Sequence, residues 1–97
     1  MKIILIAYDK PNSLELRKSV RPRHLAYLEL ISGKIAYGGP MLDQAGQPNG
    51  SVIIYNVEDH AEAERLIEAD PYTEAQLFGH VEIRAFRAVV RDGVVSA

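Results

Sequence analysis

Two short segments constrain this chain more than anything else in it. Ile3 to Tyr8 places Ile3, Leu5 and Ala7 on one side of an extended chain and Ile4, Ile6 and Tyr8 on the other. Ser51 to Val57 repeats the pattern with Val52, Ile53, Ile54, Tyr55 and Val57. Successive side chains of a strand point to opposite faces, so strands apolar at every position need cover on both faces. Such strands belong in the middle of a sheet. Helices on one side are then not enough.

The intervening stretches supply the other elements. Asn12 with Glu15 has approximate capping-box spacing and opens a helix carrying Leu14, Leu16 and Val20. Pro22 either kinks that helix or begins a new one, Leu25, Leu28 and Ile31 continue the stripe, and Gly33 is its expected stop. Ile35 to Leu42 reads as a second strand, with Pro40 pointing to a sheet edge. The turn-rich run Asp43 to Gly50 makes the hairpin connection into Ser51 to Val57. Asp59 and Glu62 have capping-box spacing before a helix whose inward face is Ala63, Leu66 and Ile67. Asp70 before Pro71 ends that helix, since a residue preceding proline is driven from helical geometry. Tyr72 to Phe78 adds a short helical turn that Gly79 breaks, and Val81, Ile83, Phe86, Val89 and Val90 mark the last strand.

The order is strand, helix, strand, strand, helix, strand, an α+β, ferredoxin-like βαββαβ arrangement with a four-stranded antiparallel sheet. The 97 residues make one domain over residues 1–97, and a domain this small buries only about 60 to 70% of its unfolded surface. Both helices fall on one face of the sheet. The economical cover for the other face is a second copy of the chain, sheet against sheet, in a two-fold homodimer.

Composition narrows the function classes. A 47% hydrophobic fraction with 25% charged residues is that of an ordinary globular chain, and no apolar run is long enough to span a membrane. The apolar start ends too early at Tyr8-Asp9-Lys10-Pro11 for a signal peptide, and cytoplasm is the default location. Without cysteine, thiolate catalysis and cysteine-based zinc sites are excluded. A net charge of -2 gives no broad basic field for nucleic acid. The cluster Arg17, Lys18, Arg21 and Arg23 reads as a solvated helix face that would also attract a small anion. His24, His60 and His80 lack HxxxH or HExxH spacing, and no phosphate-binding glycine loop is present, so neither a metal nor a nucleotide cofactor is indicated.

Two segments carry the functional signal: Arg21-Pro22-Arg23-His24-Leu25-Ala26-Tyr27-Leu28 and Ala69-Asp70-Pro71-Tyr72, with Gly38-Gly39-Pro40 between them. With the strand-type C-terminal part, they resemble the YciI-like (YCII-related) family over nearly the whole chain. The resemblance implies a dimeric α+β barrel, a fold similar to that of muconolactone isomerase. It also implies a catalytic His-Asp pair, here His24 and Asp70, and no cofactor. The family includes a dehydrochlorinase acting on a chlorinated hydroxyhydroquinone, so the implied chemistry is that of a lyase or isomerase.

The residues taken one by one are compatible with that reading. An imidazole can exchange a proton near neutral pH, and a carboxylate on one ring nitrogen fixes the tautomer that leaves the other nitrogen as base. Arg21 or Arg23 would hold negative charge developing on a small acidic, aromatic or enol-like substrate. Gly38, Gly39 and Pro40 would let a ligand approach the strand, and Tyr72 would line the same pocket. Each also has a plain structural reading: a helix-face histidine, an Asp-Pro helix stop, a sheet bend, a core anchor. The rival function is a non-catalytic protein that binds a small molecule in the same dimer cavity. A cofactor-free oxygenase of the wider barrel group ranks below both.

Overall fold

The computed structural model describes residues 1–96. Strands β1 (Lys2–Asp9), β2 (Ile35–Leu42), β3 (Pro48–Asn56) and β4 (Phe78–Phe86) form one antiparallel sheet in the order β2-β3-β1-β4. Helix α1 (Leu14–Leu30) joins β1 to β2, while α2 (His60–Glu68) and the single turn α3 (Pro71–Glu74) join β3 to β4. This is the βαββαβ arrangement expected from the sequence, with the two doubly apolar strands, β1 and β3, at the centre. A small hairpin, β5 (Val90–Arg91) with β6 (Val94–Val95), follows the sheet.

Alternation along the central strands sorts the two faces. Ile3, Leu5 and Ala7 of β1 and Ile53 and Tyr55 of β3 are buried with Ala63 and Ile67 of α2, and this layer is the core. Their neighbours Ile4, Ile6, Val52 and Ile54 lie on the opposite face and are only half-buried. Ile4 pairs with Ile54 and Ile6 with Val52 in register, so the four make one continuous apolar patch. Among the described residues no helix is long and apolar enough to cross a membrane.

Several local expectations are corrected. Asn12 is not a helix cap: it adopts φ 59° in the turn after β1, and α1 starts from Ser13, whose side chain makes no capping hydrogen bond. Of the two readings of Pro22, the one that begins a new helix is excluded: the proline sits within the continuous α1, where the Lys18 carbonyl loses its usual amide partner. Gly33 does not stop α1. The helix ends at Leu30 and a 3-10 turn, Ser32–Lys34, leads into β2. Gly79 lies inside β4, and the chain turns earlier, at Gln76 with φ 58°. Val89 and Val90 lie beyond β4, which ends at Phe86.

The turn between β2 and β3 is held by Asp43, whose carboxylate accepts from the amides of Ala45 (2.9 Å) and Gln47 (3.0 Å). Gly46 takes φ 81° there, a conformation open to glycine. β2 is an edge strand, where Pro40 can lack an amide without breaking an inner ladder.

Candidate functional site

The site is assembled from one face of α1, the start of α3 and the adjoining end of β3. Positions 17, 20, 24 and 28 recur at helical spacing, and Arg17, Val20 and His24 are buried with Leu28 half-buried beside them. Two of the residues that α1 turns inward are therefore ionisable.

His24 is met by Asp70, whose Oδ1 lies 2.8 Å from the ring Nδ1. Both side chains are buried. Proline at position 71 holds Asp70 extended (φ -67°, ψ 130°), which lets its carboxylate fold back as the cap of α3 and accept the Tyr72 amide at 2.9 Å. The same oxygen thus takes the backbone amide and the imidazole. A neutral His24 that donates from Nδ1 to the carboxylate carries its lone pair on Nε2. Among the described residues no hydrogen bond engages Nε2.

Tyr72 stacks on the imidazole with ring centroids 3.9 Å apart and planes 19° apart. The guanidinium of Arg17 sits near the phenol ring too, its Cζ 4.6 Å from the centroid. Burial pushes the Tyr72 hydroxyl above its ordinary pKa, while the guanidiniums of Arg17 and Arg21 pull the other way. The net direction is upward, so Tyr72 remains a neutral phenol around neutral pH. Arg17 is clamped: its Nε donates to Asp9 Oδ2 at 2.7 Å, and its Nη2 donates to Asp9 Oδ1 at 3.1 Å and to Ser51 Oγ at 2.8 Å.

These groups border a cavity of about 260 Å³. Arg17, Arg21, His24, Ser51 and Tyr72 give it polar and aromatic walls, and Leu25, Leu28 and Ile53 give it an apolar one. Gly38, Gly39 and Pro40 of the edge strand line it as well. Asp70 does not face the cavity; it stands behind His24. Arg21 is exposed at the rim, and Arg23, also exposed, is not among the lining residues. The glycines differ in purpose. A Cβ at Gly38 would come within 3.2 Å of the Val52 carbonyl oxygen on β3, whereas one at Gly39 would meet nothing within 4 Å. Gly38 therefore serves close strand contact, and only Gly39 leaves open space.

Sequence reasoning missed Asp9, Arg17 as a buried group, and Ser51. The available signal was the seven-residue spacing between Arg17 and His24, two helical turns, which puts both on one face. Among the described residues no group of three or more His, Cys, Asp or Glu side chains converges as a metal site.

The profile of the YCII-related domain matches residues 1–87, which include every residue of this site. The chain belongs to the YCII-related family. Protein YciI of Escherichia coli O6:H1 is 38% identical in an alignment covering 92% of this chain and 99% of that protein. Among solved structures, 5-chloro-2-hydroxyhydroquinone dehydrochlorinase (TftG) from Burkholderia phenoliruptrix AC1100, in complex with 2,5-dihydroxybenzoquinone, superposes with a TM-score of 0.83 at 33% identity, covering 90% of this chain and 94% of that one. A cofactor-independent oxygenase from Streptomyces nogalater, SnoaB, matches with a TM-score of 0.58 at 10% identity over 90% of this chain and 93% of that one, a likeness of fold alone.

Proposed function

We propose that this protein is a cofactor-independent enzyme in which His24 and Asp70 carry out general acid/base chemistry on a small acidic molecule, in the manner of a lyase or isomerase. The observation that carries the reading is the 2.8 Å contact between His24 Nδ1 and Asp70 Oδ1 beside a cavity that the imidazole lines. A carboxylate there orients the ring, leaves Nε2 as the base, and offsets the positive charge formed when Nε2 takes a proton. Stacking against Tyr72 restricts the ring further. The likeness to a dehydrochlorinase at 33% identity supports net loss of HCl as the reaction type: the chlorine-bearing ring carbon takes up a proton as one hydroxyl loses its own and becomes a carbonyl, and chloride then leaves with its bonding electrons as Nε2 removes the proton of a second hydroxyl, giving a quinone. The reading also takes the working unit as a homodimer of one-domain subunits.

Chloride release from 5-chloro-2-hydroxyhydroquinone, followed in the wild type and in His24→Asn, tests the proposal. Turnover by the wild type is expected to fall at least about 100-fold in the variant, the lower range for loss of a general acid or base. Turnover unaffected by His24→Asn would overturn the assignment of the base. A wild type that binds the compound and releases no chloride would favour the rival reading, a small-molecule-binding protein.

A further inference from the structure

The sequence pointed to Arg21 or Arg23 as the holder of negative charge, yet both are exposed, where water and salt screen them. Arg17 is the buried guanidinium of this cavity, 4% exposed, and its orientation is fixed by Asp9 and Ser51. Those contacts use Nε and both protons of Nη2. Of the two protons of Nη1, the neighbouring Tyr72 hydroxyl, on which this guanidinium also acts, can take at most one, and at least one is left for a ligand. Ser51 Oγ accepts from Arg17, so its own proton is free to donate elsewhere. Arg17, Ser51 and His24 line one cavity.

The geometry points to an oxyanion seat formed by Arg17 Nη1 and the Ser51 hydroxyl, which holds the oxygen on which negative charge develops as His24 takes a proton. This deepens, and rests on, the acid/base reading of His24. Asp9 offsets most of the charge of Arg17, so the seat offers fixed donors in place of a free cation. Donors already oriented in a site poor in water stabilise a forming oxyanion without reorganising. The apolar wall of Leu25 and Ile53 faces the rest of the ligand. A cavity of about 260 Å³ limits that ligand to about one ring with small substituents.

The probes are 4-nitrophenolate and 4-nitroanisole, its uncharged ether, titrated calorimetrically at mildly alkaline pH. Wild-type protein is expected to bind the phenolate more tightly than the ether. In Ser51→Ala and in Arg17→Lys, which keeps a cation opposite Asp9, that preference should shrink about tenfold, as expected for one charge-assisted hydrogen bond lost. Arg87→Gln, an exposed position outside the cavity, should leave it unchanged. A wild type with no preference, or a Ser51→Ala variant with native circular dichroism and full preference, would overturn the seat. If Arg17→Lys does not fold, Ser51→Ala alone decides. A preference that depends on Ser51 in a protein that catalyses nothing would keep the seat and overturn the acid/base reading.

Discussion

Asp70 carries three local duties with one side chain. It precedes Pro71 and so stops α2, it caps α3 through the Tyr72 amide, and it accepts the imidazole of His24. The first was read from Asp-Pro alone, the cap emerged only in the structure, and the third depends on a partner 46 positions away that spacing along the chain does not reveal. Removing the carboxylate should therefore cost more than a surface cap. Asp70→Ala is expected to lower the unfolding free energy by about 2 to 4 kcal/mol, combining a lost cap with a buried imidazole N–H left unpaired. Urea titration measures the loss, and ring ¹⁵N shifts should show His24 leaving the Nδ1-protonated tautomer. A loss below about 1 kcal/mol, the size of a cap alone, together with unchanged shifts, would separate Asp70 from His24.

At the scale of elements, α2 was more legible than α1, and the reason is where their polar residues face. In α2 the apolar side chains Ala63 and Ile67 turn inward, and the capping pair reads from the sequence: Asp59 accepts the Glu62 amide at 2.8 Å. One detail differs, since Glu62 Oε1 reaches back to the Glu58 amide, 2.8 Å away, while its other oxygen pairs with Lys34 at 3.0 Å. The Glu58 hydrogen bond, then Lys34, hold the Glu62 carboxyl below its ordinary pKa. A carboxyl lowered on folding stabilises above its unfolded pKa of about 4.3, and that contribution is lost as pH falls through the lower folded value. Glu62→Gln should therefore be less stable than wild type at neutral pH, and the gap should close in acid. Urea midpoints across that range check the sign; a gap that persists in acid would assign the effect to something other than charge. In α1, by contrast, the inward face carries Arg17 and His24, and Leu16 and Leu25 are exposed. A hydrophobic stripe read from Leu14, Leu16, Val20, Leu25 and Leu28 therefore gave the right element but the wrong face at several positions. Gly33 and Gly79 misled similarly, because a glycine marks a stop only where the backbone needs a positive φ. At the end of α1 the cap residue Ile31 keeps a negative φ of -105°, and before β4 the positive φ falls to Gln76.

For the whole molecule, the doubly apolar central strands set a requirement that one chain does not meet. The helices and the core take Ile3, Leu5, Ala7, Ile53 and Tyr55. The opposite face leaves Ile4, Ile6, Val52 and Ile54 half-buried, with Tyr8 and Phe86 more exposed and Tyr37 77% exposed. Beside it, a concavity of about 430 Å³ lies between this face and the C-terminal hairpin, lined by Tyr37, Ile54, Phe86 and Val90 among others. A continuous apolar patch of this kind on a small chain marks an association surface. A two-fold contact is self-complementary, so the same strands meet in both copies. Lys2, Glu82 and Arg84 share the face in register with Phe86, Ile6 and Ile4, giving the patch charged margins on the β4 side. We expect sedimentation equilibrium to give twice the chain mass at micromolar concentration. Ile54→Glu, which places a carboxylate opposite Ile4 near the middle of the patch, should give the chain mass, since a buried unpaired charge is disfavoured at such a contact. Its circular dichroism should remain native, because position 54 lies outside the core of the single chain. A wild type that sediments as one chain at all concentrations would leave the patch without its second copy and end the dimer proposal.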